Sequence, residues 1–134
     1  MELDQIKVLL IEDEEFDVRR IKNTIAPHRE RICIQEIVST GEDAIETLEK
    51  KGPYDVAILD YQISGGLYGE RLIKRLKKVD PSIQIIVITK MTINQTDLHF
   101  ANQLIESGAY WFGTKYPSDI EDFIYQPTDF ILTI

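Results

Sequence analysis

Five polar residues close four short apolar runs, and their types are those of a phosphoryl-transfer centre. Lys7-Val8-Leu9-Leu10-Ile11 runs into Glu12-Asp13, and Asp55-Val56-Ala57-Ile58-Leu59 runs into Asp60. Ile85-Ile86-Val87-Ile88 runs into Thr89, and Tyr110-Trp111-Phe112-Gly113-Thr114 runs into Lys115. Brought to one edge of one sheet, they would set three carboxylates, a hydroxyl and an ammonium together. Carboxylates that close repel and raise one another's pKa unless a cation neutralises them. Mg²⁺ suits such a set, because it takes one or two carboxylates with waters and a phosphate oxygen in an octahedral shell. An Asp carboxylate is a nucleophile for phosphoryl transfer and yields an acyl phosphate. A lysine ammonium and a threonine hydroxyl can each take one phosphate oxygen.

That gathering requires the four runs to be neighbouring parallel strands, and the rest of the chain supplies the helices between them. Strand signals fall at about Ile6 to Ile11, Arg31 to Val38, Asp55 to Leu59, Ile83 to Ile88 and Tyr110 to Thr114. The first helix is expected from about Glu15 to Ala26, with Phe16, Val18, Ile21 and Ile25 inward and Pro27 just past its end. The second starts after Thr40-Gly41, turns Ala44, Ile45 and Leu48 inward and ends near Gly52-Pro53. A Ser64-Gly65-Gly66 turn leads to a third, from about Gly69 to Val79, closed by Asp80-Pro81. The fourth spans about Asp97 to Ser107, with Gly108 as its C′ residue. Strands three and four are apolar without alternation, as in a parallel sheet covered by helices on both faces. The expected fold is therefore a doubly wound five-stranded parallel α/β sheet. In strand order 2-1-3-4-5, ligands bind beyond the carboxyl ends of strands one and three, where the order reverses. Glu12 and Asp13 would then lie beside Asp60.

The remainder of the chain sets bounds. Its 134 residues read as a single domain over 1–134, with 43% apolar and 28% charged residues. The net charge of −8 argues against direct nucleic-acid binding, which needs a basic field. Arg71, Lys74, Arg75, Lys77 and Lys78 alternate with Leu72, Ile73, Leu76 and Val79, the pattern of a solvated helix face. Cys33 is the only cysteine and reads as a small buried core residue, so the chain can form no disulfide within itself. His28 and His99 lack ligand-spaced partners and read as surface residues. No apolar run approaches the ~20 residues that span a bilayer, and a cytoplasmic location is expected. Ser118-Asp119-Ile120-Glu121 forms a capping box, Pro127 interrupts, and Thr128-Asp129 open a fresh helical start. The last helix is thus expected to be atypical or truncated, with a longer protein continuing beyond it.

Over about residues 5–115 the sequence resembles the receiver domains of two-component response regulators. The acidic pair after strand one, the Asp ending strand three, the Thr ending strand four and the Lys ending strand five fall in family order. Glu106-Ser107-Gly108-Ala109 before an aromatic strand resembles the family's segment preceding its lysine. The resemblance implies a flavodoxin-like receiver fold with Asp60 as phosphoacceptor. It implies Mg²⁺ held by Asp13, Asp60, Glu12 (directly or through water) and the backbone carbonyl of Gln62. Thr89 would turn onto the phosphoryl group, Phe112 would follow as the switch aromatic, and Lys115 would pair with the phosphate. The implied partners are a sensor histidine kinase or phosphotransfer protein and an effector domain C-terminal to this segment. A homodimer through the helix-four/strand-five/last-helix face is implied as well, and the lack of a spanning apolar run argues against a membrane partner.

Some positions depart from the family pattern. Ile63-Ser64 stand where Met-Pro is usual, and Gly69 lies one residue late, an insertion that Gly65-Gly66 can absorb. Tyr116 separates Lys115 from Pro117, Lys90 replaces a small residue, and the connection after Thr89 is long. Trp111 should point opposite to Phe112, into the core or toward a partner surface.

Three functions compete. The leading one is a phosphorylation-operated signalling switch, with no catalysis beyond its own phosphorylation and dephosphorylation. The second is a receiver-like interaction module that is not phosphorylated. The third, a Mg²⁺-dependent phosphohydrolase, needs a second acid two residues after its nucleophile, and Gln62 there cannot serve as one.

Overall fold

The computed structural model describes residues 5–89 and 98–114 of the chain. Five parallel strands, β1 (Ile6–Ile11), β2 (Ile32–Val38), β3 (Val56–Asp60), β4 (Gln84–Thr89) and β5 (Trp111–Thr114), pair in the order β2-β1-β3-β4-β5. Four helices lie between them: α1 (Glu15–Ile25), α2 (Gly41–Lys51), α3 (Gly69–Val79) and α4 (Leu98–Ser107). A short 3₁₀ turn over Ala26–His28, with Pro27 inside it, follows α1. The doubly wound fold expected from the alternating signals is the one formed. The last-helix segment lies outside the described residues, as does the expected start of helix four at Asp97.

The sheet divides its core by parity. Leu9, Ile11, Ala57, Leu59, Ile85 and Val87 meet the inner faces of α2, α3 and α4. Val8, Leu10, Val56, Ile58, Ile86 and Ile88 join Ile21 and Ile25 of α1 in the opposite cluster. Successive strand residues point to opposite faces, so unbroken apolar runs are what burial on both sides demands.

The helices are built to dock. On α3, Leu72, Ile73 and Leu76 are fully buried, and each such side chain contributes roughly 1.5–3 kcal/mol. Arg71, Lys74, Arg75 and Lys78 occupy its exposed face, as the alternation indicated. Half-buried Lys77 donates to the Pro81 and Ile83 carbonyls, 2.8 Å each, and ties the helix end to β4. On α2 the Thr40 hydroxyl accepts from the Asp43 N–H at 3.1 Å, satisfying one orphan donor of the first turn.

Two packing expectations are corrected. Phe16 is 62% exposed instead of inward, with the Arg20 guanidinium 5.4 Å from its ring centroid. At roughly 100° per residue, Phe16 lies about 140–200° around α1 from Val18, Ile21 and Ile25, so it faces away from their stripe. Cys33 is half-buried and not a core residue, because β2 is an outer strand of the sheet. His28 is exposed, as expected.

Candidate functional site

The register places the acidic residues before any side chain is considered. Ile11 pairs with Leu59, so Glu12 and Asp60 stand next to each other at the carboxyl edge of β1 and β3. The Glu12 N–H donates to the Val38 carbonyl at 2.9 Å, extending the β1–β2 ladder by one residue. Asp60 pairs with Ile88, and Tyr61 donates its N–H to the Ile88 carbonyl at 2.8 Å. Thr89 ends β4 beside Thr114 of β5, which puts it on the same sheet edge. Gly113 pairs with Ile88 and Phe112 with Val87. The side chains of Thr89, Phe112 and Trp111 lie outside the described residues, and so does Lys115 entirely.

Glu12, Asp13 and Asp60 each bring a carboxylate oxygen to within 4.8 Å of the others. Glu12 is 2% exposed and Asp60 is 0% exposed, whereas Asp13 is exposed. Burying like charges so close disfavours the ionised forms unless a cation or hydrogen-bond donors compensate. Donors are present. The Gln62 N–H donates to Asp60 Oδ1 at 3.1 Å, and the Glu14 N–H donates to Glu12 Oε1 at 3.1 Å. Asp13 Oδ2 accepts from the Ser64 hydroxyl at 2.6 Å and from the Ser64 N–H at 3.1 Å. The donor set is one of hard carboxylate oxygens. Its span is close to twice the ~2.1 Å Mg–O distance, so the residues present fit Mg²⁺.

The segment after β3 is held from a distance. Glu42, in the first turn of α2, accepts from the Leu67 N–H at 2.7 Å, and Thr40 bridges to Ser64 as a strand would. Hydrogen bonds from its own backbone and from Leu67 and Gly66 hold the Glu42 carboxyl below its ordinary range, against a smaller opposing effect of burial. A side chain on Gly41 would sit 2.1 Å from the Leu67 carbonyl, so only glycine lets the loop approach. Gly65, at φ +102°, takes the left-handed turn that passes under Glu42.

Tyr61 leads away from the acidic cluster. Its hydroxyl donates to the Glu70 carboxylate, with 3.2 and 3.1 Å to the two oxygens, and its ring meets Phe100 of α4 edge-on at 5.0 Å. Desolvation first, and the Glu70 hydrogen bond second, push the Tyr61 phenol up to about 12. Ser64, Glu42 and Tyr61 are the site neighbours that the sequence did not single out for a role. Ser64 was visible only as a turn residue and as a departure from the family pattern, and Glu42 reads as an ordinary acidic residue of a first turn.

Comparison with known proteins settles the family. The sequence profile of the response regulator receiver domain matches residues 8–124. The chain belongs to that family. Receiver folds surround it among solved structures. The response regulator domain of CheB from Thermotoga maritima is 20% identical, with a TM-score of 0.79, covering 97% of this chain and 96% of that one. The isolated receiver of RcsB from Salmonella enterica serovar Typhimurium, determined with phosphomimetic BeF₃⁻, is 19% identical. Its TM-score is 0.75, over 94% of this chain and 90% of that one. At such identities the likeness is one of fold. No match was found among curated protein sequences. Among the described residues, no helix of this receiver is long and apolar enough to cross a membrane.

Proposed function

We propose that this receiver is a phosphorylation-operated switch in which Asp60 accepts a phosphoryl group in a Mg²⁺-dependent reaction. The convergence of Glu12, Asp13 and Asp60 within 4.8 Å carries this reading. In the step itself, an Asp60 carboxylate oxygen attacks phosphorus and forms the acyl P–O bond. The donor's P–N bond breaks, and the electron pair leaves with the imidazole of a phosphohistidine on a sensor kinase or phosphotransfer protein. Bound Mg²⁺ would supply charge neutralisation between the carboxylates and the incoming phosphoryl oxygens. Asp13, Asp60, Glu12 and the Gln62 carbonyl are the residues that would hold it. The Gln62 N–H keeps one Asp60 oxygen in place during the approach. Thr89 and Lys115 would take the phosphoryl oxygens, and Phe112 would follow Thr89 inward.

The output would leave through the α4–β5 side. Ile105 of α4 and Tyr110 before β5 are 49% and 43% exposed, apolar surface suited to a second copy or an effector domain. On this reading the protein works in the cytoplasm and catalyses only its own phosphorylation and dephosphorylation.

Intact-mass spectrometry after incubation with acetyl phosphate and Mg²⁺ tests the proposal. A single phosphoryl adduct is expected, absent from Asp60→Asn and from an EDTA control. No adduct, together with no Mg²⁺ binding, would leave a receiver-shaped interaction module.

A further inference from the structure

Asp13 differs from Glu12 and Asp60 in being exposed, yet a cation would need its carboxylate beside theirs. An exposed Asp next to two carboxylates is pushed outward by repulsion and samples several rotamers. Both tendencies weaken a site before any cation arrives. Ser64 counters them, placing two donors of one residue on Asp13 Oδ2 across 51 positions of sequence.

We infer that Ser64 is a positioning residue for the cation site: it holds the Asp13 carboxylate in its ligating place and thereby sets Mg²⁺ affinity. The inference rests on the proposed function and adds to it a residue that touches neither cation nor phosphoryl group. The loop carrying Ser64 is itself fixed, through the Glu42 carboxylate on the Leu67 N–H and through the bridge between Thr40 and Ser64. An ordinary turn contact would be local, whereas this one joins the ends of β1 and β3 through a loop clamped to α2. A proline, usual at this position in related receivers, has neither an N–H nor a hydroxyl to offer.

Two effects of these hydrogen bonds oppose each other. They draw charge from the carboxylate and so weaken it as a donor, but they also fix it against repulsion. Groups that orient a metal's ligands usually give a net gain, and removing them costs 10–100-fold in affinity. Orientation should win here too, because a carboxylate already fixed beside its fellow ligands need not be ordered by the cation.

The test compares the wild-type chain with Ser64→Ala and Ser64→Thr. Mg²⁺ dissociation constants come from calorimetry without a phosphodonor, and the Mg²⁺ dependence of acetyl phosphate labelling is measured in parallel. Ser64→Ala should weaken Mg²⁺ binding about tenfold and raise the half-saturating Mg²⁺ for labelling equally. Labelling at saturating Mg²⁺ should stay as in wild type, and Ser64→Thr should restore the affinity. A general structural defect would instead lower labelling at every Mg²⁺ concentration. An unchanged or tighter Mg²⁺ constant in Ser64→Ala, with wild type binding normally, overturns the role of Ser64 alone. A wild-type chain that binds no Mg²⁺ overturns the proposed function and this role with it.

Discussion

Carboxylates are arranged in two opposite ways on this small domain. On the β2–α2 flank two carboxylates each have an ammonium: Lys51 donates to Glu36 at 2.8 Å, and Lys50 donates to Glu46 one turn away. Hydrogen bonding and charge attraction hold the Glu46 carboxyl below its ordinary range and the Lys50 and Lys51 ammonium groups above theirs. At the carboxyl edge of β1 and β3, three carboxylates are set against one another, two of them removed from water. These two flank pairs are matched in charge as folded. The edge gathers like charges among hydrogen-bond donors, and a cation arriving there should add stability that the flank pairs already have, so stability and function separate along this line.

Mg²⁺ should therefore produce the largest effect. A ligand that binds only the folded state at one hundred times its dissociation constant stabilises by about 2.7 kcal/mol. For a domain of this size that is a rise of roughly 8–10 °C in melting temperature, read by thermal denaturation in Mg²⁺ against EDTA. No shift would mean that the edge cluster is not a cation site. Next is Asp60→Asn in EDTA. The amide keeps an oxygen for the Gln62 N–H while removing one buried like charge, so the metal-free variant should melt about 3–5 °C higher, on the order of 1 kcal/mol. The same substitution should shrink the Mg²⁺-induced rise. A lower melting temperature in EDTA would show that the ionised Asp60 is already compensated by its neighbours.

The line between these regions was partly legible in the sequence. Continuous apolar runs with polar ends announce buried parallel strands and the residues at their mouths, so the placement of Glu12, Asp13 and Asp60 followed from strand order alone. Phe16 was misread because an apolar residue near a helix start looks inward unless its angle to the rest of the stripe is checked. Cys33 was misread because its apolar neighbours Ile32 and Ile34 suggest a buried run, although the expected strand order already put strand two at the sheet's edge. Ser64 and Glu42 lay beyond reach for a different reason. Their contacts join residues 51 and 25 positions apart, and they exist only because a glycine loop folds back onto the start of α2.

Tyr61 offers a third arrangement, a carboxylate facing a neutral donor. With its phenol raised to about 12 in the folded protein and near 10 when unfolded, the protonated form is the one the fold favours. Its contribution is complete below about pH 10 and lost as pH rises through about 12. Tyr61→Phe should cost about 0.5–1.5 kcal/mol at pH 8 through the lost bond to Glu70, measured by urea denaturation. The gap between variant and wild type should close as pH approaches 12. A constant gap would mean that the effect does not come from the protonated hydroxyl and its bond to Glu70.

The smallest effect belongs to the flank. Lys50 and Glu46 are 69% and 59% exposed, so water already solvates both charges and salt screens what remains. Lys50→Ala should leave the melting temperature unchanged within error at physiological ionic strength and leave the Mg²⁺-induced rise intact. A fall confined to low salt would still agree, because an exposed pair strengthens as screening weakens. A change in the Mg²⁺-induced rise would not. It would mean that the flank's charges are felt at the carboxyl edge, and the two regions would then have to be treated as one electrostatic system.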